Sequence, residues 1–356
     1  MTPMSWKRWV LSVLGLLFGL QLLVVGINVA FDPLWCFGWY GPWNDLCEGF
    51  DERQQKTDRM LFLPFSYDTL LLGSSRVTYM TPLAGTPHAF FNNSVSSMKP
   101  REYGPFLAFA QSCQNRPFGR VLIGIDFFGT NARLRSRDTF ASPEAYWTRA
   151  QSPLFRWRMA TGLDALQHSL EAAALNAGWK NPDGDYRRRE LSRIFLPPEP
   201  EKKRRDVDQQ KNDYKKNIYG DYRYESFREG YQSLLKNHPS TDFLVFTTPE
   251  SAVLLRVLVE EQRFDAYAQW LRELVDVFGS IWNFMYVNRI TTDMAHYKDA
   301  HHFSPTVGHY ILQRLLGAPY QGPADFGVRV TSANLEEHLA WVHKQFDALV
   351  ASPDTP

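Results

Sequence analysis

An almost unbroken apolar run over residues 9–31 constrains this chain more than any other feature of it. Only Ser12, Gln21 and Asn28 interrupt the run. About 20 such residues cross a bilayer as a helix, and a lone segment in lipid has no other way to satisfy its backbone polar groups. Lys7 and Arg8 stand just before it, with Trp6 and Trp9 at its edge. Basic residues on this flank predict a cytoplasmic N-terminus, with everything after the run outside. A cleaved signal peptide would carry a shorter apolar core, about 7–15 residues, followed by a small-x-small site. Gly26-Ile27-Asn28-Val29-Ala30 is a poor site of that kind. Residues 1–31 therefore read as a cytoplasmic start and an uncleaved, single-pass anchor in the inner or plasma membrane.

Residues 32–60 read as a connector. Asp32-Pro33 stops the helix. Trp35, Phe37, Trp39, Tyr40 and Trp43 cluster as residues at headgroup level do. Residues 51–56 begin a short polar helix. Cys36 and Cys47 have two open readings. They bond in an oxidising compartment and stiffen the neck, for about 2–3 kcal/mol, or they stay as two buried thiols. Cys113 falls in a helix-like stretch and reads as core.

After Asp68, residues 69–72 are apolar or β-prone and run straight into Gly73-Ser74-Ser75-Arg76. That pattern predicts a buried strand ending in a tight turn. Residues 88–94 read as a second short strand, and residues 100–114 as a helix with Tyr103, Phe106, Leu107 and Ala110 on one face. Residues 120–126 are nearly all apolar, which suits a parallel strand covered on both faces. Strand, helix and strand at these spacings predict right-handed βαβ units, hence an α/β fold with a parallel sheet. Residues 131–222 break the pattern and read as a helical insertion or lid. It holds a helix-like stretch at 155–177 and a charged, flexible loop near 196–217. Lys202 to Arg205 in that loop suit an anionic headgroup or polymer, but the interleaved acids favour a plain solvated loop. A further helix-like stretch covers 224–237. The core then resumes, with strands at 241–249 and 281–285 and helices at 264–278 and 306–316. The main domain covers 61–320, and a tail of 321–356 carries a last helix.

Open α/β sheets place their chemistry at the carboxyl ends of core strands, which puts Ser75 in a working position. Downstream, Asp299 and His302 stand in Asp-x-x-His spacing. A serine hydroxyl becomes a nucleophile when an imidazole takes its proton and a carboxylate fixes the imidazole's tautomer. Ser74 and His301 compete for the same roles, while His296 and His309 read as ordinary packing or surface residues. At these two blocks the chain resembles the SGNH (GDSL-like) hydrolase and acyltransferase superfamily, in its membrane-anchored, envelope-acylating branch. The resemblance implies a three-layer, flavodoxin-like domain with Ser75 as nucleophile, His302 as base and Asp299 as its orienter. It also implies an oxyanion hole made by the Ser75 N–H, a glycine N–H and an asparagine amide. Here the third-strand asparagine position holds Asp126, leaving Asn92 or Asn93 as candidate amide donors, or as plain strand terminators. Arg76 is a candidate for orienting an anionic group of the substrate, or for a structural ion pair with Asp126.

Net charge is +1, so no global field argues for nucleic acid. Gly-rich phosphate loops and zinc-spaced Cys/His sets are missing from the sequence, and neither metal nor nucleotide cofactors are expected. The resemblance implies acyl transfer, or ester cleavage, on an envelope glycan or other polymer. It implies in addition a multi-span, membrane-bound O-acyltransferase as partner. Two other readings stand beside this one. The first is a simple anchored esterase or lipase. The second is a catalytically silent scaffold that binds glycan or assembles a membrane acylation complex, for which Asp126 speaks.

Overall fold

The structure is a computed structural model that describes residues 5–83, 90–134 and 140–352. The chain divides into two compact units.

The first unit combines Met1–Phe65 with Pro143–Ile194. The apolar run folds as one helix, Trp6–Phe31, in which an 18-residue window has a mean hydropathy of 2.5. It is long and apolar enough to cross a membrane. The helix ends at Asp32, whose left-handed backbone turns the chain and whose carboxylate accepts hydrogen bonds from the N–H groups of Cys36, Phe37 and Gly38. Arg188, from the distant segment, donates to the carbonyls of Phe31, Asp32, Trp39 and Asn44. The neck is therefore held by an arginine more than 140 positions away in sequence.

Cys36 and Cys47 are both buried free thiols, which decides between their two readings. Cys36 meets Leu34 O and the Asp58 carboxylate, whereas Cys47 meets Pro33 O. Burial pushes the Cys47 thiol up to about 12, so neither oxidation nor thiolate chemistry is favoured there. The polar helix Glu52–Phe62 is not solvated: residues 52–58 are all buried. It packs against helix Pro143–Ala150, and the Gln55 amide donates to Pro33 O and Glu48 O. The stretch read as one helix at 155–177 is two, Phe155–Thr161 and Leu163–Asn176, broken at Gly162. Three two-residue strands, Leu46–Cys47, Tyr186–Arg187 and Ser192–Arg193, form a small antiparallel sheet that periodicity could not reveal.

The second unit, Ser66–Ser142 with Phe195–Pro356, is built on six strands. They are β1 (Thr69–Gly73), β2 (Phe90–Asn92), β3 (Arg120–Ile125), β4 (Asp242–Thr247), β5 (Ser280–Asn283) and β6 (Val328–Thr331). The spatial order is β2-β1-β3-β4-β5-β6. β1 to β5 are parallel and β6 is antiparallel to β5, so the sheet is mixed rather than wholly parallel. Residues 88 and 89, read as the start of β2, lie outside the described residues. Leu70, Leu71 and Leu72 are all fully buried. Leu71 joins Leu122, Phe246 and the Val307, Ile311 and Leu312 side chains of helix Pro305–Leu316 in one cluster. Leu70 and Leu72 point to the opposite face, so both faces of β1 are covered and its apolar run is explained.

Residues 200–218 correct the expectation of a flexible loop. Pro200–Asp213 is a helix, opened by Pro200 and continued by a π-turn over Tyr214–Ile218. No residue of the helix proper is buried; most of its charges face water, Lys203 donates to Met294 O, and Gln210 and Tyr214 make the contacts described below. The helix read at 224–237 starts only at Arg228.

Candidate active site

The sheet's order reverses at β1: β2 lies to one side, and β3 onward to the other. Clefts in open α/β sheets form at such a switch point, outside the strands' carboxyl ends. The turn after β1 is built there. Gly73 pairs with Gly124 of β3, and Val77 lies over both. A Cβ on Gly73 would come 2.6 Å from Val77 and 2.8 Å from the Gly124 carbonyl oxygen; one on Gly124 would come 2.7 Å from Val77. Two glycines are thus needed to let the 3-10 turn Ser75–Val77 tuck onto the strand ends. Ser74 caps that turn, its Oγ accepting from the Arg76 N–H at 3.3 Å, and is buried. Ser75 is partly exposed. The two serines therefore have different jobs, the first structural and the second accessible.

His302 Nε2 lies 2.9 Å from Ser75 Oγ, and His302 Nδ1 lies 2.6 Å from Asp299 Oδ2. With Nδ1–H donating to the carboxylate, Nε2 is left to accept the serine proton. Asp299 Oδ1 accepts from the backbone N–H groups of His301 and His302. Burial raises the Asp299 pKa, but His302, His301 and these N–H donors outweigh it and hold the carboxyl well below the usual range. It stays ionised to orient the ring. The loop carrying both residues is pinned from two sides. The Ser251 hydroxyl donates to Ala300 O, and the Ala300 N–H donates to Gln210 Oε1. Gln210 was not singled out in the sequence; a lone glutamine in a charged stretch carries no signal of its own.

Arg76 does not reach solvent. It is 1% exposed and pairs with Glu250 at 2.8 Å and Asp126 at 3.5 Å. Its guanidinium also donates to Thr248 Oγ1 and to the Tyr214 hydroxyl. The ion-pair reading of Arg76 and Asp126 is therefore the one the side chains adopt, and neither presents a surface to a substrate. The reason is local: Arg76 follows the turn inward, where Glu250 and Tyr219 complete a buried network. Asn92 is equally committed. Its amide donates to Val77 O and Met80 O, and its carbonyl accepts from Ser94. Asn93 differs: it is fully buried, and neither side-chain atom has a partner among the described residues. Its backbone N–H donates to Leu71 O, beside the nucleophile strand. Of the two asparagines, Asn93 is thus the one whose amide is not already committed among the described residues.

His301 does not join the relay. Burial, and then the neighbouring His302, holds it well below the usual histidine range, so it is neutral. Asp299, His301 and His302 offer ligand atoms within 4.8 Å of one another, the one such cluster among the described residues. Two of these residues, Asp299 and His302, are bonded to each other in the relay. Tyr79 stands edge-on to the His302 ring and to Phe195, and its hydroxyl meets Lys298 Nζ at 3.3 Å. This arrangement can remove a proton from a serine and stabilise the imidazolium that results. The chain matches no model of a known protein family, and no curated protein matches it.

Proposed function

We propose that the chain is a membrane-anchored, extracytoplasmic serine acyltransferase of SGNH type, acting on an envelope glycan or similar polymer through an acyl-Ser75 intermediate. The observation that carries this reading is the relay Ser75–His302–Asp299, with its 2.9 and 2.6 Å links, at the switch point of an α/β sheet. Ser75 Oγ attacks the donor's acyl carbonyl, and its proton passes to His302 Nε2. The imidazolium returns that proton to the departing oxygen. An acceptor hydroxyl then repeats the sequence in reverse and carries the acyl group away. The helix Trp6–Phe31 supports transfer over hydrolysis, because tethering raises the local concentration of a donor in the bilayer. A membrane-bound O-acyltransferase is the partner of this reading.

One observation favours the silent-scaffold reading instead. An acidic residue, Asp126, stands where the resemblance expects an amide, and Asn92 is spent on backbone carbonyls. A fluorophosphonate probe on the full-length protein separates the two. Activity predicts labelling of the natural chain and of Ser74→Ala, and none of Ser75→Ala or His302→Ala. A folded natural chain that resists the probe makes the scaffold reading the correct one.

A further inference from the structure

The first unit holds a groove of about 820 Å³, within the range of about 300–1,000 Å³ common for small-ligand clefts. One wall is Val25 and Val29, in the last turns of the apolar helix; Phe62, Trp157 and Ala160 face them. The position of this groove along the helix follows from hydrogen bonds. Asn28 donates to the carbonyls of Ala160 and Gly162 and accepts from Ser169, and Gln21 donates to Thr161 O. Gln21 lies ten residues before Phe31, about 15 Å at 1.5 Å per residue. The hairpin of helices Phe155–Thr161 and Leu163–Asn176 therefore runs back along the very helix that is apolar enough to cross the bilayer. Its surface is that of an interfacial element: Trp157 is 67% and Leu163 71% exposed.

Charge completes the picture. The Arg156 guanidinium lies over the rings of Phe37 and Phe62, 5.0 and 5.3 Å from their centroids, at the groove. Among the described residues no carboxylate pairs with it, nor with Arg149 or Arg158 nearby. Cations without counter-ions, beside an apolar slot at the membrane boundary, complement a phosphate on an acyl chain.

We infer that this groove binds one anionic phospholipid of the outer leaflet, its phosphate on Arg156 and one acyl chain between Val25, Val29 and Trp157. The inference rests on Trp6–Phe31 spanning the bilayer, and it is independent of Ser75 chemistry. Full-length protein in detergent, titrated with dioleoylphosphatidylglycerol or dioleoylphosphatidylcholine and read by native mass spectrometry, tests it. Retention of one phosphatidylglycerol is expected, about tenfold over phosphatidylcholine, the scale of one charge-assisted contact. Arg156→Gln, on an exposed residue, removes that preference, and Val25→Trp fills the slot and lowers retention of both lipids. Ser75→Ala retains lipid like the natural chain, so this result and that of the serine probe are read separately. Equal retention of the two lipids by the natural chain overturns the inference, as does full retention in Arg156→Gln. So does a Val25→Trp chain that keeps its lipid but sheds a co-purifying membrane protein, since the groove then seats a partner's helix.

Discussion

Asn93 buries an amide that meets no partner, an arrangement that costs folding about 1–3 kcal/mol. If that amide serves a developing oxyanion, Asn93→Ala lowers kcat by about 10²-fold with little change in KM, and the fold is as stable or more so. Asn92→Ala, which strips the caps from Val77 O and Met80 O, lowers stability instead. Kinetics on an activated ester, beside thermal melts of both variants, distinguish the two asparagines. Asp299 gives a second test, in pH. Its carboxyl titrates lower folded than unfolded, so the unfolded chain binds the extra proton as pH falls. The stability it contributes is present above about pH 4, the ordinary carboxylate value, and is lost as the solution becomes more acidic. Urea midpoints of the natural chain and of Asp299→Asn therefore converge from pH 6 down toward about pH 2. A gap that stays constant over that interval contradicts the assignment.

At the scale of elements, the turn after β1 depends on the contact among Gly73, Gly124 and Val77. Gly124→Ala forces a Cβ against Val77 and the Phe246 ring and costs about 1–3 kcal/mol by overpacking. Val77→Ala removes one of the two obstacles, so the double variant is more stable than the sum of the single losses, as a double-mutant cycle measures. This turn was legible in the sequence because its signals are local: an apolar run, a glycine and a small cap residue within nine positions. The relay's spacing, Asp299 to His302, is local as well. The helix Pro200–Asp213 was not legible, because dense charge looks the same on a solvated helix and on a loop. Gln210 and Tyr214 turn toward the site loop and Arg76, and Lys203 meets Met294 O. Strand β6 is four residues, mostly incompletely buried, too short and too mixed for a period-2 pattern. The buried polar helix Glu52–Phe62 defeats composition outright, since its partners come from the neck and from the distant residues 143–194 together.

For the whole molecule, Lys7 and Arg8 before the apolar helix predict that Ser75 and everything downstream are extracytoplasmic. A C-terminal reporter active only in the cytoplasm stays dark under that topology, whereas a bright signal reverses it. The interleaving of the two units has a consequence for how the chain is made. Translation delivers it N-terminus first, at about 5–20 residues per second. Asn28, Asp32 and the neck carbonyls cannot meet Ser169 or Arg188 until those residues emerge many seconds later. By then β1, β2 and β3 have appeared, yet their sheet still waits for β4 beyond residue 240. Each unit is therefore interrupted by the other during synthesis, and the nascent chain exposes apolar strands in the interval. Ribosome pausing just after residue 142 would lengthen that exposure, and pausing after residue 194 would let the first unit close before the second resumes.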